Sequence, residues 1–255
     1  MSPTASIPGT KIDTLFHYRK IPWFLVQGNI VDAAFQNKLK RMQAVIYELD
    51  SYLESTWNID QGELSSYWTK IYTVLSDFGL SKADQKAWLK QILKYQEHEL
   101  STRENRSPTR YSLRNLYFYK SCDVKLIRRL IYHHAPILKK IVQPVDWTAF
   151  DLLTEVNDDI EDLREDMTTY NCNRFLFDIK EKGVSYVRNN YRSFMKSILN
   201  ESRKRLGNSK KSEGIKQLHE WTETIHEQTV KLLEQRLPEF SKEEVSKAII
   251  FAKIS

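Results

Sequence analysis

Leu152-Leu153-Thr154-Glu155-Val156-Asn157-Asp158-Asp159-Ile160-Glu161-Asp162-Leu163-Arg164-Glu165-Asp166-Met167 decides how this chain is read. Its apolar residues Leu153, Val156, Ile160, Leu163 and Met167 recur at steps of 3, 4, 3 and 4, the spacing that lays one stripe along an α-helix. At about 100° per residue, Glu155, Asp159, Asp162 and Asp166 share the adjacent face, with Asp158 at its edge. Like charges one turn apart oppose helix formation unless something cationic neutralises them. Divalent metal ions can do so, and Mg²⁺ bridges carboxylates to phosphates while keeping water ligands. The competing reading is a solvated acidic face on a surface helix.

The same periodicity extends outward. Only 7 Gly and 7 Pro punctuate 255 residues, and they fall between periodic segments. Leu39, Met42, Val45, Ile46, Leu49 and Leu53 share one face of a helix between Val31 and Trp57. A second helix runs from about Glu63 to Phe78 and stops at Gly79, and Ser81 caps a third that reaches Leu100. Tyr111 to Leu138 reads as a long helix broken near Ser121. The acidic helix spans Asp146, its cap, to about Thr169. Further helices are expected over 173–182, 185–206, 213–236 and 241–253. The expected fold is all-α, a single-domain helical bundle over 31–255 behind a partly irregular N-terminal segment, 1–30.

Hydrophobic residues make up 41% and charged residues 28%, the balance of a soluble globular chain. No apolar run approaches the roughly 20 residues of a membrane-spanning helix, and residues 1–10 lack the pattern of a secretory signal. The two cysteines, Cys122 and Cys172, form neither a CxxC nor a zinc spacing, so a cytoplasmic protein with reduced thiols is expected. GxSxG, GxxxxGK[ST] and GxGxxG are all absent. The net charge of +6 suits anionic partners in general. Its one dense basic stretch, Arg203 to Lys211, is interrupted by Gly207-Asn208-Ser209 and reads as a loop.

Two features accompany the acidic helix. Asp50 and Glu54 lie one turn apart beside Leu49 and Leu53, so a second acid-bearing helix can face the first and hold metals between them. Arg106, Arg110, Arg114, Lys120 and Arg174 supply cations that can hold the oxygens of a diphosphate bound by the same metals.

With these residues in place the layout resembles the class I isoprenoid (terpenoid) synthase superfamily, over roughly residues 35 to 235. Asp158-Asp159-Ile160-Glu161-Asp162 fits the DDxxD form of that family's second metal motif. Extended to Asp166, it is similar to the terpene-synthase (N/D)DxxSxxxE motif, with Asp158, Asp162 and Asp166 in the ligand positions. Thr169 to Leu176 and Glu181-Lys182-Gly183 resemble the usual continuation. The segment from Arg110 to Asp123 lies where terpene synthases keep a diphosphate-sensing arginine and a kinked helix. Asp50 and Glu54 look like the first motif of squalene and phytoene synthases. That motif lacks a full DDxxD, the stretch between the motifs is compressed, and no C-terminal Arg-Tyr pair closes the site.

The resemblance implies Mg²⁺-dependent loss of diphosphate from an allylic prenyl diphosphate, as in a terpene synthase or prenyltransferase. Metal ligation falls to Asp50, Glu54, Asp158, Asp162 and Asp166, with Asp159 as the alternative register. Diphosphate contacts fall to Arg110, Arg114, Lys120 and Arg174. Tyr47, Tyr117, Phe118 and Trp147 are the expected walls of a dry pocket whose ring faces stabilise carbocations. A homodimer is a further expectation from the family. Two other readings stand beside it: a non-catalytic helical interaction protein, and a helical nucleic-acid binder using the loop from Arg203 to Lys211. The balance of features places nucleic acid outside the expected partners.

Overall fold

The stripe from Leu153 to Met167 is buried along its whole length in the computed structural model of the chain, which describes residues 9–104, 106–208 and 212–248. The described residues form thirteen α-helices and no strand, as the periodicity requires. The first seven are α1 (Gly9–Tyr18), α2 (Ile21–Gln27), α3 (Ala33–Ser55), α4 (Gln61–Ser76), α5 (Lys82–Ser101), α6 (Leu113–Lys120) and α7 (Cys122–His134). After them come α8 (Thr148–Glu161), α9 (Leu163–Asp166), α10 (Arg174–Lys182), α11 (Val184–Asn208), α12 (Glu213–Arg236) and α13 (Lys242–Ala248). None is long and apolar enough to cross a membrane.

Local chemistry sets most of the boundaries. Asp32, Asp60, Ser81, Ser112 and Asn173 each accept a backbone N–H at the start of a helix, as N-caps do. Gly79, with φ 71°, takes the left-handed turn after α4. The expected break at Ser121 is present: its hydroxyl bonds back to the Tyr117 and Phe118 carbonyls, and α6 gives way to α7 there.

Four boundaries differ from the sequence reading. α7 ends at His134 rather than Leu138, because Ala135 precedes Pro136 and leaves the helical region (φ −129°, ψ 78°). Asp146 does not cap the acidic helix. Its carboxylate closes a turn onto the Gln143 N–H at 2.8 Å, and α8 starts at Thr148. That helix is also split, with α8 giving way to α9 at Asp162. Finally, Gly207 and Asn208 belong to α11, so the expected basic loop is helical up to that point. Ser209–Lys211, and the end of the last expected helix beyond Ala248, lie outside the described residues.

The N-terminal segment expected to be partly irregular is, from Gly9 on, mostly helical, as α1 and α2 joined by a turn at Arg19 and Lys20. Its residues Ile12, Phe16, Ile21, Phe24 and Leu25 join the same apolar core that extends to Val245. α8 lies at the centre, packed by α12, α11, α10 and α6. Two ion pairs are buried beside it one turn apart, Arg128–Asp151 and Arg19–Glu155.

Candidate functional site

Both groups of carboxylates sit at the C-terminal ends of their helices. Asp50 and Glu54 occupy the last turns of α3, and Asp158, Asp159 and Glu161 the last turn of α8, where neither helix has a basic residue. The helix dipole presents negative charge at that end, so these acids repel the backbone as well as one another. Packing overrides the penalty: Leu49 and Leu53 on α3, and Val156 and Ile160 on α8, are all buried and fix the register of the acids beside them.

The two ends open onto one cavity of about 430 Å³. All six carboxylates expected as metal ligands line it: Asp50, Glu54, Asp158, Asp159, Asp162 and Asp166. Asp123, Glu155 and Glu165 join them, giving nine carboxylates against three cations, Lys11, Arg19 and Lys120. In a chain of net charge +6, this pocket carries a large local excess of negative charge.

A buried polar frame holds the acids in place. Lys120 Nζ donates to Asp159 Oδ1 at 2.5 Å, and the Tyr117 hydroxyl donates to Asp159 Oδ2 at 3.0 Å. Asn173 Nδ2 bridges the Asp159 carbonyl (2.6 Å) and Asp166 Oδ2 (2.7 Å) across the break between α8 and α9. Asn171 Nδ2 donates to Glu54 Oε1 at 2.7 Å, and Tyr95 donates to Asp50. The floor is polar too: Gln43 donates to Asp123 at 2.9 Å, and Arg19 pairs with Glu155 at 2.6 Å.

Burial dominates the electrostatics. It pushes Asp50 up to about 6 against the Tyr95 hydrogen bond and the Lys120 charge. It pushes Asp166 and Glu99 up to about 7, with Lys120 pulling both the other way. Glu54 rises well above the usual carboxylate range through burial and then repulsion from Asp50 and Glu99. Asp162 reaches about 6 through burial and the neighbouring Asp158. Burial works against the charge on Lys120, yet Asp159, Glu99 and Asp166 together hold its pKa well above normal. One buried ammonium thus serves at least three carboxylates, and the rest are under-neutralised.

The other expected residues divide. Of the four cations, Lys120 alone lines the cavity. Arg110 is exposed and lies over the Tyr111 ring at 4.6 Å, and Arg114 makes a bidentate pair with Glu201 at 2.7 and 2.8 Å. Arg174 is buried on Asp178 at 3.0 Å and on the carbonyls of Pro108 and Tyr111. Of the four aromatics, Tyr47 lines the cavity and Tyr117 reaches it only through its hydroxyl on Asp159. Phe118 and Trp147 line a different cavity. Of the expected aromatic walls Tyr47 alone lines the cavity, joined by Tyr95, Ile12, Leu15 and Ile46 over a charged floor.

Lys11, Arg19, Tyr95 and Glu99 are the functional candidates the sequence reading missed. Tyr95 and Glu99 repeat on α5 the one-turn spacing of Asp50 and Glu54, a signal the sequence did offer. Lys11 and Arg19 belong to residues 1–30, where no periodic pattern marks them.

No family model, curated protein or solved structure matches the chain. Among the described residues, no three His, Cys, Asp or Glu side chains converge tightly enough to chelate an ion unaided. Mg²⁺ does not require that, since it typically takes one or two carboxylates and completes its shell with water and phosphate oxygens. The hard, under-neutralised oxygen donors on both sides of the cavity fit such a shared site.

Proposed function

We propose that the chain is a Mg²⁺-dependent enzyme of the class I isoprenoid synthase type, releasing diphosphate from an allylic prenyl diphosphate as a terpene synthase or prenyltransferase. One observation carries this reading: two acid-bearing helix ends, remote in sequence, converge on one cavity that also holds buried cations. The best-placed metal donors are Asp50 and Glu54 on α3 and Asp158, Asp162 and Asp166 on α8–α9. Bound there, Mg²⁺ would stabilise the negative charge growing on the leaving diphosphate. Asp159 is held by Lys120 and Tyr117, which makes it a positioning residue for that ammonium more than a free ligand.

Lys11, Arg19 and Lys120 line the cavity in place of Arg110, Arg114 and Arg174. Since Arg19 and Lys120 already pair with Glu155 and Asp159, Lys11, on the Tyr47 hydroxyl, is the first candidate to meet the diphosphate oxygens. α1 lies across the cavity with Ile12 and Leu15 facing in, where it excludes water and offers apolar contact to the substrate. The charged floor leaves little room for hydrocarbon, so the shortest allylic diphosphates are the preferred substrates.

The test is incubation with Mg²⁺ and dimethylallyl, geranyl, farnesyl or geranylgeranyl diphosphate, singly and in pairs, following diphosphate and organic products. Release that needs both Mg²⁺ and intact Asp158 and Asp162, compared with the Asp158→Ala/Asp162→Ala protein, is the expected result. Folded protein that releases nothing from any substrate and gains no thermal stability from Mg²⁺ with inorganic diphosphate would refute the proposal. The acidic cavity would then belong to a binding protein.

A further inference from the structure

A second cavity, of about 550 Å³, lies further along α7. Cys122 and Asp123 at the start of α7 face the acidic cavity, whereas Lys125, Arg128 and Arg129 further along face the second. The two cavities have opposite chemistry. The second is walled by the rings of Trp88, Phe118, Tyr132 and Trp147, and its cations are Lys125, Arg128, Arg129 and Lys139. Its one carboxylate, Asp151, is already engaged by Arg128.

The remaining cations have no carboxylate partner there. The Lys125 ammonium lies 3.2 Å from the centre of the Phe118 ring and donates to the Phe118 carbonyl. The Arg129 guanidinium lies over Trp88 at 4.9 Å. Arg128, itself buried and over Trp147 at 3.8 Å, leaves its Nε–H without an acceptor. Burial, helped by the Arg128 charge and opposed by Asp151, Cys122 and Glu155, pulls Lys125 down to about 8. A half-buried ammonium beside a buried guanidinium with an idle donor costs free energy unless an anion joins them.

The geometry points to a second ligand site, between α5, α7 and the start of α8, for an aromatic molecule that carries a phosphate or carboxylate. The ring packs against Trp88 and Phe118, and the anion is held by Lys125 and Arg129 with Arg128 behind them. A cavity of this size suits a small molecule of that kind, and the aromatic faces already hold the cations in place for it. The inference stands on its own observations and does not rest on the reading of the acidic cavity.

Calorimetric titration of the whole chain with naphthyl phosphate and with naphthoate tests it, and comparing the two tells phosphate from carboxylate. Naphthol, which lacks the anion, and inorganic phosphate, which lacks the ring, are the controls. Saturable binding of at least one aromatic anion, about tenfold tighter than either control, is expected. Lys125→Met and Arg129→Gln are each expected to weaken it about tenfold without lowering Tm. Lys216→Gln, a remote loss of one positive charge, and Asp158→Ala/Asp162→Ala in the acidic cavity are expected to leave it unchanged. The site is refuted if neither aromatic anion binds saturably, or if binding survives both Lys125→Met and Arg129→Gln. Binding lost in Asp158→Ala/Asp162→Ala but kept in Lys125→Met would place the ligand in the acidic cavity instead, and overturn the inference.

Discussion

A cavity of under-neutralised carboxylates makes stability depend on pH in an unusual direction. Glu99 and Asp166 are nine-tenths buried, and burial pushes both up to about 7. Unfolded, such groups titrate near 4. At about pH 6.5 the folded chain therefore holds protons that the unfolded chain has released, and by about pH 8 both states are ionised. Stability is fully present below the unfolded values and is lost as pH rises through the folded ones. Integrating the proton difference from about pH 6.5 to about pH 8 gives close to 1 kcal/mol for each group, or about 2 kcal/mol for the two. Glu54 and Glu155, both raised by burial, act in the same direction. His98, pulled down to about 4 by burial, opposes the trend at the lower edge of the window, where the unfolded imidazole still titrates, and Lys125, pulled down to about 8, opposes it at the upper edge. Together they offset about 1 kcal/mol at most, which Glu155, pushed up to about 8 by burial, more than restores. In a chain of this length about 2 kcal/mol lowers Tm by about 4–8 °C. Thermal unfolding followed by tryptophan fluorescence is the assay, and Glu99→Gln is expected to flatten the slope. Mg²⁺ with inorganic diphosphate is expected to raise Tm more at about pH 8, where the carboxylates are ionised, than at about pH 6.5. A wild-type Tm that stays level or rises across the window would refute the electrostatic account of the cavity.

Lys120→Met strands the buried Asp159 carboxylate, and a loss of about 3–5 kcal/mol is expected in chemical denaturation at neutral pH. Arg128→Met, which does the same to Asp151, carries a similar expected loss, and Arg128→Met/Asp151→Leu is expected to recover most of it. Gly214→Ala puts a Cβ 2.6 Å from Ile141 Cγ2 and 3.2 Å from the Ile141 carbonyl, so about 1–3 kcal/mol of overpacking is expected in the same assay. Arg114→Gln removes only an exposed pair with Glu201, and both Tm and any diphosphate release are expected to be unchanged within error.

What could be read in advance follows from how local each signal is. Sparse glycine and the 3.6-residue recurrence are properties of single helices, and they placed most helices from α3 onward within a few residues, but they gave no helix for α1 and α2 and no break between α8 and α9. The acid faces of α3 and α8 are equally local, which is why all six carboxylates were legible. The cations and the walls were not, because each depends on which helix comes to lie opposite. Arg114 and Arg174 are near the right part of the chain, but Arg114 is claimed by Glu201 on α11, whose placement no spacing reveals, and Arg174 by Asp178 one turn along α10, an i,i+4 pair that the sequence did show. Aromatic bulk suggests a pocket wall, which is why the sequence points Trp147 and Phe118 to the acidic cavity. Which of two cavities a ring faces depends on how α6 and the start of α8 pack against their neighbours, and composition carries no trace of it.

The competing picture of α8 as a solvated acidic face meets an energetic obstacle. Surface acids keep their hydration and cost little, but Asp159, Glu155 and Asp166 are 4%, 5% and 6% exposed. Burial of a carboxylate is strongly unfavourable unless it is paired. Here Arg19 and Lys120 are the only buried cations on the cavity, and each is already bonded to one acid. Dipole repulsion at two helix ends, desolvation and like-charge crowding all fall on one 430 Å³ volume. Strain concentrated in this way marks the place where folding has yielded to chemistry. The deficit is one of positive charge, which protons relieve below neutral pH and which the Mg²⁺ we propose would relieve above it.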